Sequence, residues 1–398
     1  MRPSKVAIIF HHIGPYHHAR LSAAEHDLRV LGLEWFAKGS YPWGTASGHC
    51  IYEKVSLFDR PNEQFYRPKV LESHLVNALQ THNPDVLVVN GWNDFGSLTS
   101  LSVGRKMRIP LVVMSESTRH DMQRNSLKEY LKRRILKLCS STLVGGHSHK
   151  EYLMQLGVSE ENIFLGYDAV DNTYFTQGAA QFRQQSQKLR SQLRLPEHFF
   201  LASARFVDKK NLFRLVQAYA QYHAQTKTEP WHLVLLGDGA LRPALQSQID
   251  QLQQSEFIHL PGFKHYDELP AYYGLANCFV HASTTEQWGL VVNEAMASEL
   301  PVLVSSHCGC TPNLVEEGRN GYTFDPYDIN QLTDLMFKIS SGQCDLAAMG
   351  QASREIISRW SPKTFATNLA KAVEVALEKP LPKVGIFDRA LLQFLALR

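Results

Sequence analysis

The chain has 398 residues, 44% hydrophobic and 20% charged, the balance of an ordinary globular protein of two or three domains. A formal net charge of +3 is too mild to indicate nucleic-acid binding, and no run reaches the roughly 18 consecutive apolar residues of a membrane span. The cysteines at 50, 139, 278, 308, 310 and 344 show neither a zinc spacing nor a disulfide framework, which points to a reducing, cytoplasmic compartment.

Near the start, "MRPSKVAIIFHHIGPYHHARL" has only Val6–Phe10 as a continuous apolar run, too short for a secretory leader. "KVAIIF" (5–10), "DVLVVN" (85–90), "PLVVMS" (110–115) and "STLVGG" (141–146) read as buried parallel strands. Helical stretches separate them, beginning with "ARLSAAEHD" and followed by "PKVLESHLVNALQTH" (68–82) and "SLKEYLKRRILKLC" (126–139). This is the βαβ rhythm of a doubly wound sheet. A polar, Gln-rich stretch at 176–198 reads as a surface helix and linker. The rhythm restarts with "FFLASARF" (199–206), "HLVLLGDG" (232–239), "FIHLPG" (257–262), "CFVHAS" (278–283) and "PVLVSS" (301–306). The chain ends in helical "SPKTFATNLAKAVEVALE" (361–378) and "FDRALLQFLALR" (387–398). In open α/β sheets, ligands bind beyond the carboxyl ends of the strands, so the chemistry is expected where two sets of strand ends face each other.

Glu286 and Glu294 sit eight positions apart in "STTEQWGLVVNEAMASELPVLVSS" (283–306), with Gly289 at a loop-to-helix junction between them. Gly289 allows close backbone approach, and the first N–H groups of the helix, at Gly289 and Leu290, favour an anion. Two carboxylates beside an anion site suit a ligand with phosphates and many hydroxyls, a nucleotide sugar. Read alone, the window fits equally a solvated loop glutamate and a dipole-favoured helix glutamate. In "ARFVDKKN" (204–211), Arg205 ends a strand and Lys210 follows in the next loop, a cation pair suited to a diphosphate. Fixed cations can stabilise a departing diphosphate where other enzymes use a metal, and no D-x-D pair supplies metal ligands. "LLGDGALRPAL" (235–245) lacks the third glycine of a dinucleotide fingerprint and reads as a tight turn at Gly237, near a phosphate or base. "HHIGPYHHARL" (11–21) is a strand-to-helix turn read as a glycine loop at Gly14, with a histidine metal cluster as the alternative. "SESTRHD" (115–121) and "NGWND" (90–94) end strands, so Glu116, His120 and Asn90 are candidate cleft residues. The basic amphipathic helix at 126–139 suits either a solvated sheet-covering face or an anionic membrane.

Taken together, "EQWGLVVNEAMA", "ARFVDKKN" and "CGCTPNLVEEGRNGYTF" (308–324) resemble glycosyltransferase family 4. These are retaining enzymes with two facing Rossmann-like domains, the GT-B fold, and the resemblance spans about residues 5 to 375. It places the family's E-x7-E motif on Glu286 and Glu294 and its diphosphate-binding Arg and Lys on Arg205 and Lys210. The usual Phe-Gly pair is Trp288-Gly289 here, the usual Gly-Gly is Cys308-Gly309, and the N-terminal glycine loop is "IGPYHHARL". Many members carry a histidine after the strand matching "PLVVMS"; Glu116 stands in that slot, with His120 four residues on.

The resulting expectation is an α/β protein of GT-B architecture. Residues 1–185 form an acceptor-binding Rossmann-like domain, residues 196–375 a nucleotide-sugar-binding one, and 376–398 a helix packing back on the first. The expected function is retaining transfer of a sugar from a nucleoside diphosphate to a hydroxyl acceptor, in cell-surface polysaccharide or glycoconjugate synthesis. A nucleotide-sugar 2-epimerase and a non-catalytic sugar-nucleotide sensor are the alternatives. Catalysis is assigned to Glu286, Arg205 and Lys210. Donor binding is assigned to Glu294, Gly289, Leu290, Trp288, Gly237, Phe263 and Gly14, and the acceptor or sugar cleft to Glu116, His120, Asn90 and His17. No metal or other cofactor and no nucleic acid are expected, and peripheral contact with the cytoplasmic membrane face is allowed for.

Overall fold

The computed structural model describes residues 3–37, 50–60, 67–121, 124–383 and 385–395. The chain divides into two compact units, Met1–Val170 with Ser361–Arg398, and Asp171–Trp360.

The first unit alternates strand and helix in the order β1 (Lys5–Phe10), α1 (Pro15–Ala24), β2 (Arg29–Phe36), β3 (Glu53–Phe58), α2 (Pro68–His82), β4 (Val86–Asn90), α3 (Phe95–Lys106), β5 (Leu111–Ser115), α4 (Ser126–Leu136), β6 (Ser141–Val144), α5 (His147–Gln155) and β7 (Ile163–Leu165). The described strands pair in parallel in the order β3-β2-β1-β4-β5-β6-β7. Strands such as VAIIF and LVVM are buried on both faces, which is why they read as continuous apolar runs rather than alternating ones.

The second unit runs α6 (Asn172–Gln184), α7 (Ser186–Leu193), β8 (Phe199–Ser203), α8 (Leu212–Gln225), β9 (His232–Leu236), α9 (Arg242–Gln251), β10 (Ile258–Gly262), α10 (Leu269–Leu275), β11 (Cys278–His281), α11 (Leu290–Ala297), β12 (Val302–Ser305), α12 (Thr311–Leu314), β13 (Gly321–Phe324), α13 (Ile329–Ser340) and α14 (Leu346–Ser358). Its parallel sheet has the order β10-β9-β8-β11-β12-β13. In both sheets the order reverses beside the first strand, between β1 and β4 and between β8 and β11. Such switch points open a crevice at the strand carboxyl ends.

The chain then returns to the first unit as α15 (Pro362–Glu378) and α16 (Ile386–Leu395). This corrects the boundaries expected at 185–196 and 375. The stripe Phe365, Ala366, Leu369, Ala372, Val373 and Ala376 of α15 buries in one cluster with Val6, Ile8 and Tyr167. Ser141 Oγ donates to Ala372 O at 2.7 Å and Asn368 Nδ2 to Leu165 O at 2.9 Å. At the other boundary, α6 belongs with the second unit. A Cβ at Gly178 would lie 2.7 Å from Pro270 Cβ, and one at Gly274 would lie 2.7 Å from Ala179 O, so small residues let α6 and α10 touch closely. In α16, Asp388 accepts from Arg134 Nε of α4 at 2.6 Å. Among the described residues no helix is long and apolar enough to cross a membrane.

Candidate active site

At the switch point of the second sheet, three loops are stitched together by their main chains. Gly237, after β9, has φ +123°, and a Cβ there would sit 1.8 Å from Ala204 O. Only glycine lets the two backbones meet this closely. Phe206 is fully buried; its amide donates to Asp238 O at 2.8 Å, and its carbonyl accepts from Leu241 N at 3.2 Å. The G-x-G segment thus anchors the loop that carries Arg205, whose side chain is exposed. After a short 3-10 turn at Asp208–Lys210, Asn211 adopts φ 59°, and its buried Nδ2 donates to Ala282 O at 3.1 Å and Pro326 O at 2.7 Å. The Thr284 amide donates to Lys209 O at 2.9 Å, tying this loop to the one after β11.

The loop after β11 delivers Glu286. Lys210 Nζ pairs with its Oε2, Lys209 Nζ lies 3.4 Å from Oε1, and His281 Nε2 lies 3.9 Å from Oε2. Burial pushes the Glu286 carboxyl up, but Lys210, His281 and Lys209 together outweigh it and hold the group below the usual carboxylate range. Burial, reinforced by Lys210, drives His281 down to about 3, so its ring is neutral. Burial, with Glu286 adding, pushes the Cys308 thiol up to about 12. Glu286 O accepts from Gly309 N at 3.0 Å, which seats the Cys308-Gly309 segment against the same loop. Gly289, with φ +112°, caps α11, and a Cβ there would lie 3.4 Å from His281 Nε2 and 3.6 Å from Cys310 Sγ. The first turn of α11, beginning at Leu290, therefore opens directly beside Glu286.

Glu294, one turn further into α11, is fully buried and accepts from Tyr273 OH at 2.6 Å. Tyr174 and Tyr266 stack nearby with ring centroids 4.7 Å apart. Burial raises the Tyr174 phenol, with Asp267, Asp171 and Glu294 adding to it. Glu294 is thus lined by phenol rings, whereas Glu286 is lined by ammonium groups. Phe263 is 39% exposed just past β10, edge-on to His265 at 5.3 Å. The expected donor contact of the Trp288 side chain is corrected. Its indole is buried, packs on Trp360 at 5.2 Å and donates from Nε1 to Asn293 Oδ1 at 2.9 Å. Its role is to brace the start of α11 from inside.

In the first unit, polar groups gather at the carboxyl ends of β1, β4, β5 and β7. Gly14 has φ −88°, a conformation open to any residue, and its amide donates to His17 Nδ1 at 3.2 Å. His17 rests on Phe10 at 4.2 Å, and burial, with Arg20 and His12, holds its ring well below the usual histidine range. The Ile13 amide donates to Glu34 Oε2 at 2.8 Å, fixing the same loop. His12 lies 3.3 Å from Glu34, and His18 Nδ1 lies 3.1 Å from Tyr52 OH. The histidines of this stretch thus go to separate partners. Among the described residues no three metal-binding side chains converge. Asn90 Oδ1 accepts from Tyr167 OH at 3.1 Å. Glu116 hydrogen-bonds the fully buried Asp168, whose carboxyl is raised well above the usual range by burial and by Glu116, against Arg20. His120 is exposed in the turn beyond β5.

The second sheet thus gathers Arg205, Lys210, Glu286, Gly289 and Leu290 around one switch point. The first sheet gathers Gly14, His17, Asn90 and Glu116 near another. Sequence reasoning missed Lys209, Asn211, His281 and Tyr273 in the second unit, and Arg20, Glu34 and Asp168 in the first. The doubled lysine of "DKKN" was the one visible signal, since the others show only once distant segments pack.

Residues 184–356 match the family model described as glycosyl transferases group 1. The chain is 27% identical over 285 residues to alpha-monoglucosyldiacylglycerol synthase of Acholeplasma laidlawii, covering 68% of this chain and 70% of that protein. It is 27% identical over 192 residues to a GDP-mannose-dependent alpha-(1-6)-phosphatidylinositol monomannoside mannosyltransferase of Mycobacterium tuberculosis, covering 46% of this chain and 49% of that protein. In fold it is similar to Anabaena Alr3699/HepE, solved in complex with UDP and glucose. The TM-score is 0.73 at 19% identity, over 93% of this chain and 99% of that one.

Proposed function

We propose that this chain, which has GT-B architecture and matches the glycosyl transferases group 1 model over residues 184–356, is a glycosyltransferase that transfers a sugar, with retention, from a nucleoside diphosphate to a hydroxyl acceptor. One observation carries this reading: the paired Glu286 and Lys210, with Arg205 on the same stitched loop, at the switch point where a parallel sheet receives a ligand. Arg205 and Lys210 take the diphosphate and stabilise the charge that builds on it as the glycosidic bond stretches. The first-turn amides at Gly289 and Leu290 add fixed donors. Glu294, oriented by Tyr273, takes the ribose hydroxyls, and Glu286 takes hydroxyls of the donor sugar and stabilises positive charge at the anomeric carbon. The donor's own phosphate oxygen receives the acceptor proton on the same face, so no protein nucleophile is used. The fixed cations do the work of a metal, and activity is expected to survive EDTA.

In this reading the second unit binds the donor and the first the acceptor. A lipid-linked acceptor of a cell-surface glycoconjugate is favoured by α4, where Leu127 is 66% and Tyr130 47% exposed beside exposed Lys128, Arg133 and Lys137. The two curated relatives, whose names refer to glycolipids, point the same way.

The test is a nucleotide-sugar panel followed by kinetics of Arg205→Ala and Lys210→Ala. Each is expected to lower kcat/KM about a hundredfold or more. NMR of the product reads the anomeric configuration. Near-wild-type activity in both variants overturns the donor-site assignment, inversion overturns the mechanism, and epimerised donor without acceptor favours an epimerase.

A further inference from the structure

Glu286 carries two lysines, and the reaction described above uses only one of them. Lys210 sits on Oε2 and is 12% exposed; Lys209 sits 3.4 Å from Oε1 and is 40% exposed. The Lys209 carbonyl takes the Thr284 amide at 2.9 Å, so its backbone is fixed to the very loop that carries Glu286. Paired with each other, Lys210 and Glu286 neutralise one another. A nucleoside diphosphate brings at least two negative charges and several strong acceptors, and it competes for the Lys210 ammonium against a single carboxylate. When Lys210 turns to the diphosphate, Glu286 is left as a mostly buried anion next to a second anion. Those are the conditions under which a carboxyl takes up a proton. A protonated Glu286 neither accepts strongly from a sugar hydroxyl nor stabilises a developing cation.

We propose that Lys209 is a positioning residue for Glu286, holding that carboxylate ionised and aimed while a bound nucleoside diphosphate draws Lys210 away. The proposal rests on the donor-site reading above. The other groups facing Glu286 do not do this. His281, from β11, is neutral through burial, and Cys308, beyond β12, is a buried neutral thiol. The Gly309 amide is spent on the main-chain carbonyl of Glu286, not on its side chain. Among the described residues, Lys209 is therefore the cation left against the carboxylate once Lys210 moves.

The experiment is calorimetric titration of UDP and of GDP, in buffers of different ionisation enthalpy, into four proteins: wild type, Lys209→Arg, Lys209→Met, and Lys209→Met combined with Glu286→Gln. The readout is the number of protons bound with the nucleotide. Wild type and Lys209→Arg should agree. Lys209→Met should take up an additional fraction of a proton as pH is lowered toward 6, and the added Glu286→Gln should abolish that excess. Nucleotide affinity of Lys209→Met should stay within about fivefold of wild type, the scale of one partly exposed ion pair. The acid limb of its kcat profile should move up by about one pH unit. Proton uptake equal to wild type overturns the proposal. So does a loss of affinity of about tenfold or more, which makes Lys209 itself a diphosphate ligand. If wild type binds neither nucleotide, the donor-site reading falls, and this inference with it.

Discussion

Replacing Glu34 with glutamine removes a buried charge that organises the loop after β1. The Glu34 side chain is fully buried and takes the Ile13 amide at 2.8 Å, Ser56 Oγ at 2.6 Å, Lys54 Nζ at 2.8 Å and His12 Nδ1 at 3.3 Å. Burial alone would raise its carboxyl, yet His12, Lys54, Ser56 and the Ile13 amide together bring it down from 4.5 to about 2. A depression of that size corresponds to about 3 kcal/mol of stability at neutral pH. Because the folded value is depressed, this contribution is present above the unfolded value and is lost as pH falls toward the folded one. By linkage about 0.8 kcal/mol of it is gone at pH 4 and about 1.4 kcal/mol at pH 3.5. His12 moves the opposite way. Its hydrogen bond to Glu34 raises it against burial, so its contribution is complete below the ordinary histidine value and declines as pH rises through the raised one. Glu34→Gln should therefore be destabilised by about 2–3 kcal/mol at pH 6, a gap that narrows between pH 5.5 and 4. Urea unfolding of both proteins across that range, followed by tryptophan fluorescence, measures it. A gap under about 1 kcal/mol at pH 6, or one that stays constant down to pH 4, refutes the reasoning.

Gly237→Ala forces a Cβ against Ala204 O in a left-handed backbone, costing about 1–3 kcal/mol from the conformation alone. Because that contact anchors the Arg205 loop, nucleotide affinity should fall by more than stability loss explains, as thermal shift and calorimetry together would show. Tyr273→Phe removes the 2.6 Å hydrogen bond to buried Glu294, worth about 1–2 kcal/mol, and should raise donor KM with little change in kcat. Glu286→Gln should do the reverse, lowering kcat with a smaller change in KM, and steady-state kinetics of the two variants separate the roles. Leu127→Ser with Tyr130→Ser should abolish sedimentation with anionic liposomes at low salt; no sedimentation of the wild type makes α4 a solvated face.

Much of the architecture is local information. The boundaries of α2 at Pro68–His82 and of β1 at Lys5–Phe10 follow from a proline start, a 3.6-residue stripe and a β-branched run, all within a short window. The same holds for the spacing of Arg205, Lys210, Glu286 and Glu294, which fixes each at a strand end or helix start before any packing is known. What the window cannot encode is which charge meets which. Lys209 and Glu286 are 77 residues apart, and Arg20 and the Tyr167 carbonyl it binds are 147 apart. The first pair arises because a parallel crossover sets the end of β8 beside the end of β11, and the second because α1 packs against the segment that follows β7. Trp288 read as a ligand contact because it lies inside a motif, but the volume behind α11 takes its indole into the core against Trp360. The helix at 362–378 read as the end of the second domain, yet it joins the first, because its apolar stripe matches a face left open over β6 and β7. Periodicity decides that a stripe must be buried, and only the assembled sheet decides against what, since burial energy depends on area and shape complementarity and not on position along the chain.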